Sequence, residues 1–117
     1  VLLEDVNILA EHKRTEAYRF ELSYLRTDQA KGLIKFDRCL ARNYGLVFVS
    51  FNNPEIGLDE AYAFRLARAL QYMQSKGRQY VTLEEFAQEV IPCAKLPRIA
   101  ADLTYDLGGL VTCCKSL

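Results

Sequence analysis

Lys31, Lys35, Arg38 and Arg42 recur at steps of four, three and four residues. On one α-helix that spacing gathers them into a basic stripe about 16 Å long, at a rise of ~1.5 Å per residue. Like charges four apart cost a helix a few tenths of a kcal/mol each, so helix stability alone does not select this arrangement. A phosphate backbone or an acidic protein surface offsets the repulsion. If all four meet duplex phosphates, log K against log[salt] slopes near about −3.6. The alternative is a solvated face partly neutralised by Asp28 and Asp37.

Other chemistry has less support. His12 is the only histidine; it stands beside Lys13 with no nucleophile near in sequence, and reads as a surface residue. GxGxxG, Walker A, HExxH and nucleophile-elbow patterns are missing, so no enzymatic activity and no cofactor are expected. Tyr18, Tyr62 and Tyr72 read as packing residues. Cys39, Cys93, Cys113 and Cys114 form no CxxC and match no zinc spacing, so no metal is expected. They read as reduced, small apolar residues of an intracellular protein; a redox switch at Cys113/Cys114 is the alternative. Fifteen basic and fifteen acidic residues give a formal net charge of zero. A dedicated nucleic-acid binder is usually more basic, so the electrostatic case rests on the local stripe. No apolar run approaches the roughly 20 residues that span a bilayer, and "VLLEDVN" has no basic n-region of a signal peptide.

These residues must be positioned by a chain of 117 residues, which fits one domain. Residues 3–28 contain no Gly or Pro. Leu3, Val6, Ala10, Ala17, Phe20 and Tyr24 recur at helical steps, with Glu11/Arg14 and Glu16/Arg19 as polar pairs, and predict a long helix able to dimerise. Ala30, Leu33, Phe36 and Leu40 mark a second helix over 30–43, ended by "NYG", with Gly32 as a weak point inside it. "LVFVSF", 46–51, reads as an extended segment and "NNP" as a turn. Leu58, Tyr62, Leu66, Ala69, Leu70 and Met73 predict a helix over 58–76, ending at Gly77. The expected fold class is therefore mainly α with a small β component. Residues 1–57 form an N-terminal helical segment and 58–117 a second segment, packed as one compact domain.

In "YVTLEEF", Thr82 and Glu85 fit a capping box, with Val81 and Phe86 as its hydrophobic staple. Two families use such an entrance. An EF-hand alignment that puts Glu85 last in the loop sets Gln74, Lys76 and Arg78 at ligand positions and Gln79 where Gly is needed. It implies at most a metal-free EF-hand-like adaptor. The other pattern covers more of the chain. "AYAFRLARALQYMQSKG", "YVT", "LEEFAQEV" and "KLPRIAADLTYDLGGLV" together resemble a winged helix over residues 60–112. Only "TCCKSL" follows Val111, so a two-stranded wing is not expected here. The resemblance implies a third helix with Lys95, Arg98, Asp102 and Tyr105 on its outer face. Lys95, Arg98 and Tyr105 then approach bases or groove and the 31–42 stripe meets phosphates. The resulting expectation is a DNA-binding protein, a transcriptional regulator dimerising through its N-terminal helix. The alternative is a protein-interaction module or assembly subunit on the same fold.

Overall fold

"NYGLVFVSFNN" becomes the centre of the molecule because both of its faces are buried. The computed structural model describes residues 7–96 and the backbone of 98–99 and 104–105. In it, β1 (Asn7–Thr15), β3 (Asn43–Asn53), β4 (Leu58–Arg65) and β6 (Cys93–Lys95) form a sheet in the order β1–β3–β4–β6. β1 runs parallel to β3, from Asn7↔Asn43 to Thr15↔Phe51. A parallel neighbour needs a crossover; here it contains β2 (Arg19–Glu21) and the helix α1 (Thr27–Cys39). β3 and β4 form an antiparallel hairpin, and β6 pairs antiparallel to β4. α2 (Leu66–Lys76), β5 (Tyr80–Thr82) and α3 (Leu83–Ala87) follow β4, and β5 pairs with β2. β7 (Arg98–Ile99) and β8 (Thr104–Tyr105) pair with each other.

Strand alternation sorts the core into two layers. Val47, Val49, Phe51, Tyr62 and Phe64 meet Leu33, Ala69, Met73 and Phe86 of the three helices. The Phe86 ring lies 4.9 Å from Phe64 and 5.6 Å from Tyr62, centroid to centroid. On the opposite face Leu46, Ala61, Ala63 and Ala94 cluster with Ile8 and Leu96.

Among the described residues the chain is thus mixed α/β, with a four-stranded sheet and three short helices, and the mainly α expectation is overturned. The helix expected over 3–28 is replaced, across its described part, by β1, β2 and a 3-10 turn at Leu22–Tyr24. Phe20, assigned to an exposed dimer face, is fully buried. The helix expected over 58–76 starts only at Leu66; its first half is β4. The boundary drawn at 57/58 falls inside the β3–β4 hairpin. The helix of 30–43 is α1, but it stops at Cys39, "NYG" opens β3, and Leu40 is exposed. The third helix is not formed where the backbone is described, since Cys93–Lys95, Arg98–Ile99 and Thr104–Tyr105 are strands. Of the winged-helix pattern, "YVT" is a strand and "LEEFA" a helix; the described partner of "YVT" is β2, and Val111–Cys113 lie outside the described residues.

The capping box is present. The Glu85 N–H donates to Thr82 Oγ1 at 3.1 Å, and the Thr82 N–H donates to Glu85 Oε1 at 3.0 Å. Glu85 also accepts from the Tyr72 hydroxyl and pairs with Arg78, so α2, the loop after it and α3 are tied at one carboxylate. Gly77 ends α2 at φ 66°, where a Cβ is strained. Burial of the Glu85 carboxyl opposes its ionisation, but the hydrogen bonds from Tyr72 and Thr82 and the Arg78 charge outweigh it and hold its pKa below the ordinary value.

Two predictions follow from this packing. A Cβ on Gly45 would lie 2.3 Å from the Leu33 carbonyl oxygen, inside backbone that cannot swing away. Gly45→Ala is expected to cost about 3 kcal/mol or more by denaturant unfolding; an unchanged midpoint means that α1 does not press on β3 there. Glu85 has a lowered folded pKa, so its stabilisation is complete above the unfolded pKa and is lost as pH falls through the folded one. Melting temperature followed from about pH 6 to about pH 2 should fall less steeply in Glu85→Gln than in the wild type. Parallel acid limbs refute the assignment.

Candidate functional site

α1 begins where the Arg26 N–H donates to Gln29 Oε1 at 3.0 Å. It lies on β3 through Leu33, which is fully buried. Ala30 and Ile34 flank that contact half-buried, while Lys31, Lys35 and Arg38 face outward. The last turn of α1 is stitched to the start of β3. Asn43 Nδ2 donates to the Phe36 carbonyl at 3.0 Å, and the Gly45 N–H donates to Asp37 Oδ2 at 3.0 Å.

Asp37 decides the electrostatics. Arg65, at the end of β4, donates from Nε to Asp37 Oδ2 at 3.0 Å and from Nη2 to Oδ1 at 2.6 Å. The Arg65 guanidinium also lies 4.7 Å from the centre of the Tyr44 ring. The Asp37 side chain is only 8% exposed, so its charge is turned under the helix rather than outward. Asp28, the other acid on this helix, pairs with Arg26 at 3.5 Å. Lys31, Lys35 and Arg38 make no ion pair with any described residue. Of the two acids expected to neutralise the stripe, Asp37 is thus withdrawn to Arg65, while Asp28 stays exposed in the first turn beside Arg26.

The stripe is also shorter than expected. α1 stops at Cys39, so Arg42 stands in the turn before β3, off the helix. Lys31 to Arg38 spans about 10 Å along the axis. The residues assigned to base contact sit elsewhere. Lys95 is on β6, the sheet edge opposite β1, and pairs with Glu60 at 3.1 Å. Arg98 and Tyr105 are backbone partners across β7 and β8. The outer helical face expected to join Lys95, Arg98 and Tyr105 does not exist at these positions.

Beside the stripe runs a groove of ≈ 490 Å³, lined by Ala30, Ile34 and Leu70 with Lys31, Lys35 and Arg38 along its rim. Leu70 also lines a separate, more polar depression of ≈ 410 Å³ with Leu22, Met73, Gln74, Arg78 and Gln79. An apolar trench thus runs between α1 and α2, with the cations on the α1 side. Ile34 was the missed signal. It is an apolar residue lying off the Ala30/Leu33/Phe36 stripe, on the side of the lysines. Leu70 was placed correctly on an apolar face, but nothing in sequence says that this face meets α1.

A second juxtaposition joins distant residues. His12 Nε2 lies 2.8 Å from Ser50 Oγ, across the β1/β3 pair. A nucleophilic serine needs an accessible Oγ and donors aimed at a developing oxyanion. Ser50 is 2% exposed in the middle of β3, so His12 serves to satisfy a buried hydroxyl. Among the described residues no three His, Cys, Asp or Glu side chains gather as a metal site. In the same residues no helix is long and apolar enough to cross a membrane. Comparison with protein-family models, with curated proteins and with solved structures gives no match.

Asp37→Ala is expected to cost about 3–5 kcal/mol, because it strands the half-buried Arg65 guanidinium and frees the Gly45 N–H. Replacing both partners, as Asp37→Ala/Arg65→Met, should recover much of that loss. A cost under ~1 kcal/mol for the single variant would mean that the pair behaves as an ordinary surface contact.

Proposed function

We propose that the chain is a non-enzymatic binding module whose recognition surface is the basic face of α1, and that its partner is a polyanionic macromolecule, duplex DNA or an acidic protein surface. One observation carries the reading. Three cations line one helix face with no ion pair to any described residue, because the acid that shares their helical turn is withdrawn to Arg65. Such a face costs the free protein a little stability by self-repulsion, and a bound polyanion removes that cost. The same face steers association, since a local positive potential acts within a Debye length of about 8–10 Å whatever the net charge. Free thiols at Cys39 and Cys93 support a reducing, intracellular setting.

The test is binding of fluorescent random duplex and of polyglutamate at about 50 mM salt, where counterion release is strongest. Micromolar association is expected with at least one of them. For duplex, three phosphate contacts give a slope of log K against log[salt] near about −2.7, and a fourth through Arg42 brings it near about −3.6. Lys31→Glu/Lys35→Glu/Arg38→Glu should abolish binding while leaving the circular dichroism spectrum and melting temperature close to wild type. Binding of neither polyanion, or equal binding by the triple variant, overturns the reading.

A further inference from the structure

We infer that the trench between α1 and α2 receives an acidic amphipathic helix of a partner protein. The inference rests on the preceding reading and names the partner class for the same surface. Charge and apolarity occur here side by side and in register. The floor is Ala30, Ile34 and Leu70, and the rim is Lys31, Lys35 and Arg38. A duplex backbone has nothing to place on the floor, because phosphate contacts take cations and polar donors. An amphipathic helix matches both parts. Its apolar residues at i, i+3, i+4 and i+7 enter a groove between two helices, and carboxylates beside that face meet the rim.

The spacing on α1 sets the spacing on the partner. Lys31, Lys35 and Arg38 stand at i, i+4 and i+7. Carboxylates at i, i+4 and i+7 of a helix lying alongside can reach all three cations. Past Leu70 lies a separate, more polar depression lined by Leu22, Met73, Gln74, Arg78 and Gln79, so the apolar anchors of the bound helix gather over Ala30, Ile34 and Leu70. Exposed ion pairs are individually weak. The rim therefore selects and orients the partner and speeds its arrival, while the floor holds it.

The experiment uses the full chain and a synthetic helical peptide of about 18 residues, five turns. The peptide carries Leu at i, i+3, i+4 and i+7 and Glu along the adjoining edge. A scrambled peptide of the same composition, random duplex DNA and polyglutamate are run beside it. The amphipathic peptide should bind at least tenfold tighter than the scrambled one. On wild-type protein its amide shift perturbations should centre on Ala30, Ile34 and Leu70. Ile34→Ser/Leu70→Ser should lose that tenfold preference and keep its polyglutamate affinity. The triple Glu variant at the rim should instead prefer a peptide whose Glu residues are replaced by Lys. If both peptides bind alike, or the shifts map away from α1 and α2, the trench is not a helix site, although polyanion binding through the rim stands. Tight duplex binding without peptide preference assigns the rim to nucleic acid and overturns the inference. If no polyanion binds, the underlying reading falls as well. The shift map on wild type decides the matter even if the floor variant does not fold.

Discussion

The contact between Asp37 and the start of β3 sets how α1 sits on the sheet and which of its faces meets solvent. One carboxylate accepts from the Gly45 N–H and from two nitrogens of Arg65. It can do so only because Gly45 has no side chain where β3 passes under the Leu33 carbonyl. A helix, the central strand and its hairpin partner are thereby joined at one point of low exposure. Partly buried charges are stable when their hydrogen-bonding capacity is used, and here each Asp37 oxygen has a donor. The consequence on the outside follows from helical geometry. The turn that holds Asp37 against the sheet necessarily turns Lys31, Lys35 and Arg38 away from it, and removes the acid that would have balanced them.

The misread elements share a physical cause. Glu11 and Arg14 are three apart and suggest a helical pair, yet in β1 they point to opposite faces. Glu11 accepts from Gln29 of α1 and Arg14 donates to Asn52 of β3. Among the described residues β1 is an edge strand with little buried area, so its apolar residues are too few to show a period of two. β4 fails in the opposite way. Tyr62 and Phe64 enter one core and Ala61 and Ala63 the other, so alternation vanishes where both faces are buried. Alanine and leucine then read as helix formers, and Arg65 turns the chain from strand into α2 at φ −76°, ψ 128° without a Gly or Pro to announce it.

Signals confined to neighbouring residues were legible. The Thr82–Glu85 capping box, the Gly77 stop and the strand within 43–53 are all local matters of backbone donors, permitted φ and apolar density. The cations of α1 were legible for the same reason, since three- and four-residue steps fix a common face once a helix forms. What the local pattern lacks is the fate of Asp37, which depends on Arg65 twenty-eight residues later. It also lacks the apolar trench, which exists only because Leu70 of α2 comes to lie beside Ile34.

Zero net charge and a basic face are compatible because acids and bases are matched unevenly over the surface. Glu21 is matched to Arg19, Asp28 to Arg26, Glu60 to Lys95 and Glu85 to Arg78. Each pair is local and contributes little field at a distance. Glu84 and Glu89 remain exposed around α3, and Glu55 on the turn between β3 and β4. Lys31, Lys35 and Arg38 remain exposed on α1. At physiological salt the field decays over about 8 Å, so a partner reaching α1 responds to these cations and not to the sum over the chain. A neutral protein with segregated charge can thus orient an anionic partner at one face. On the proposed reading, the apolar floor next to the cations is what would distinguish a partner with an apolar stripe from one with charge alone.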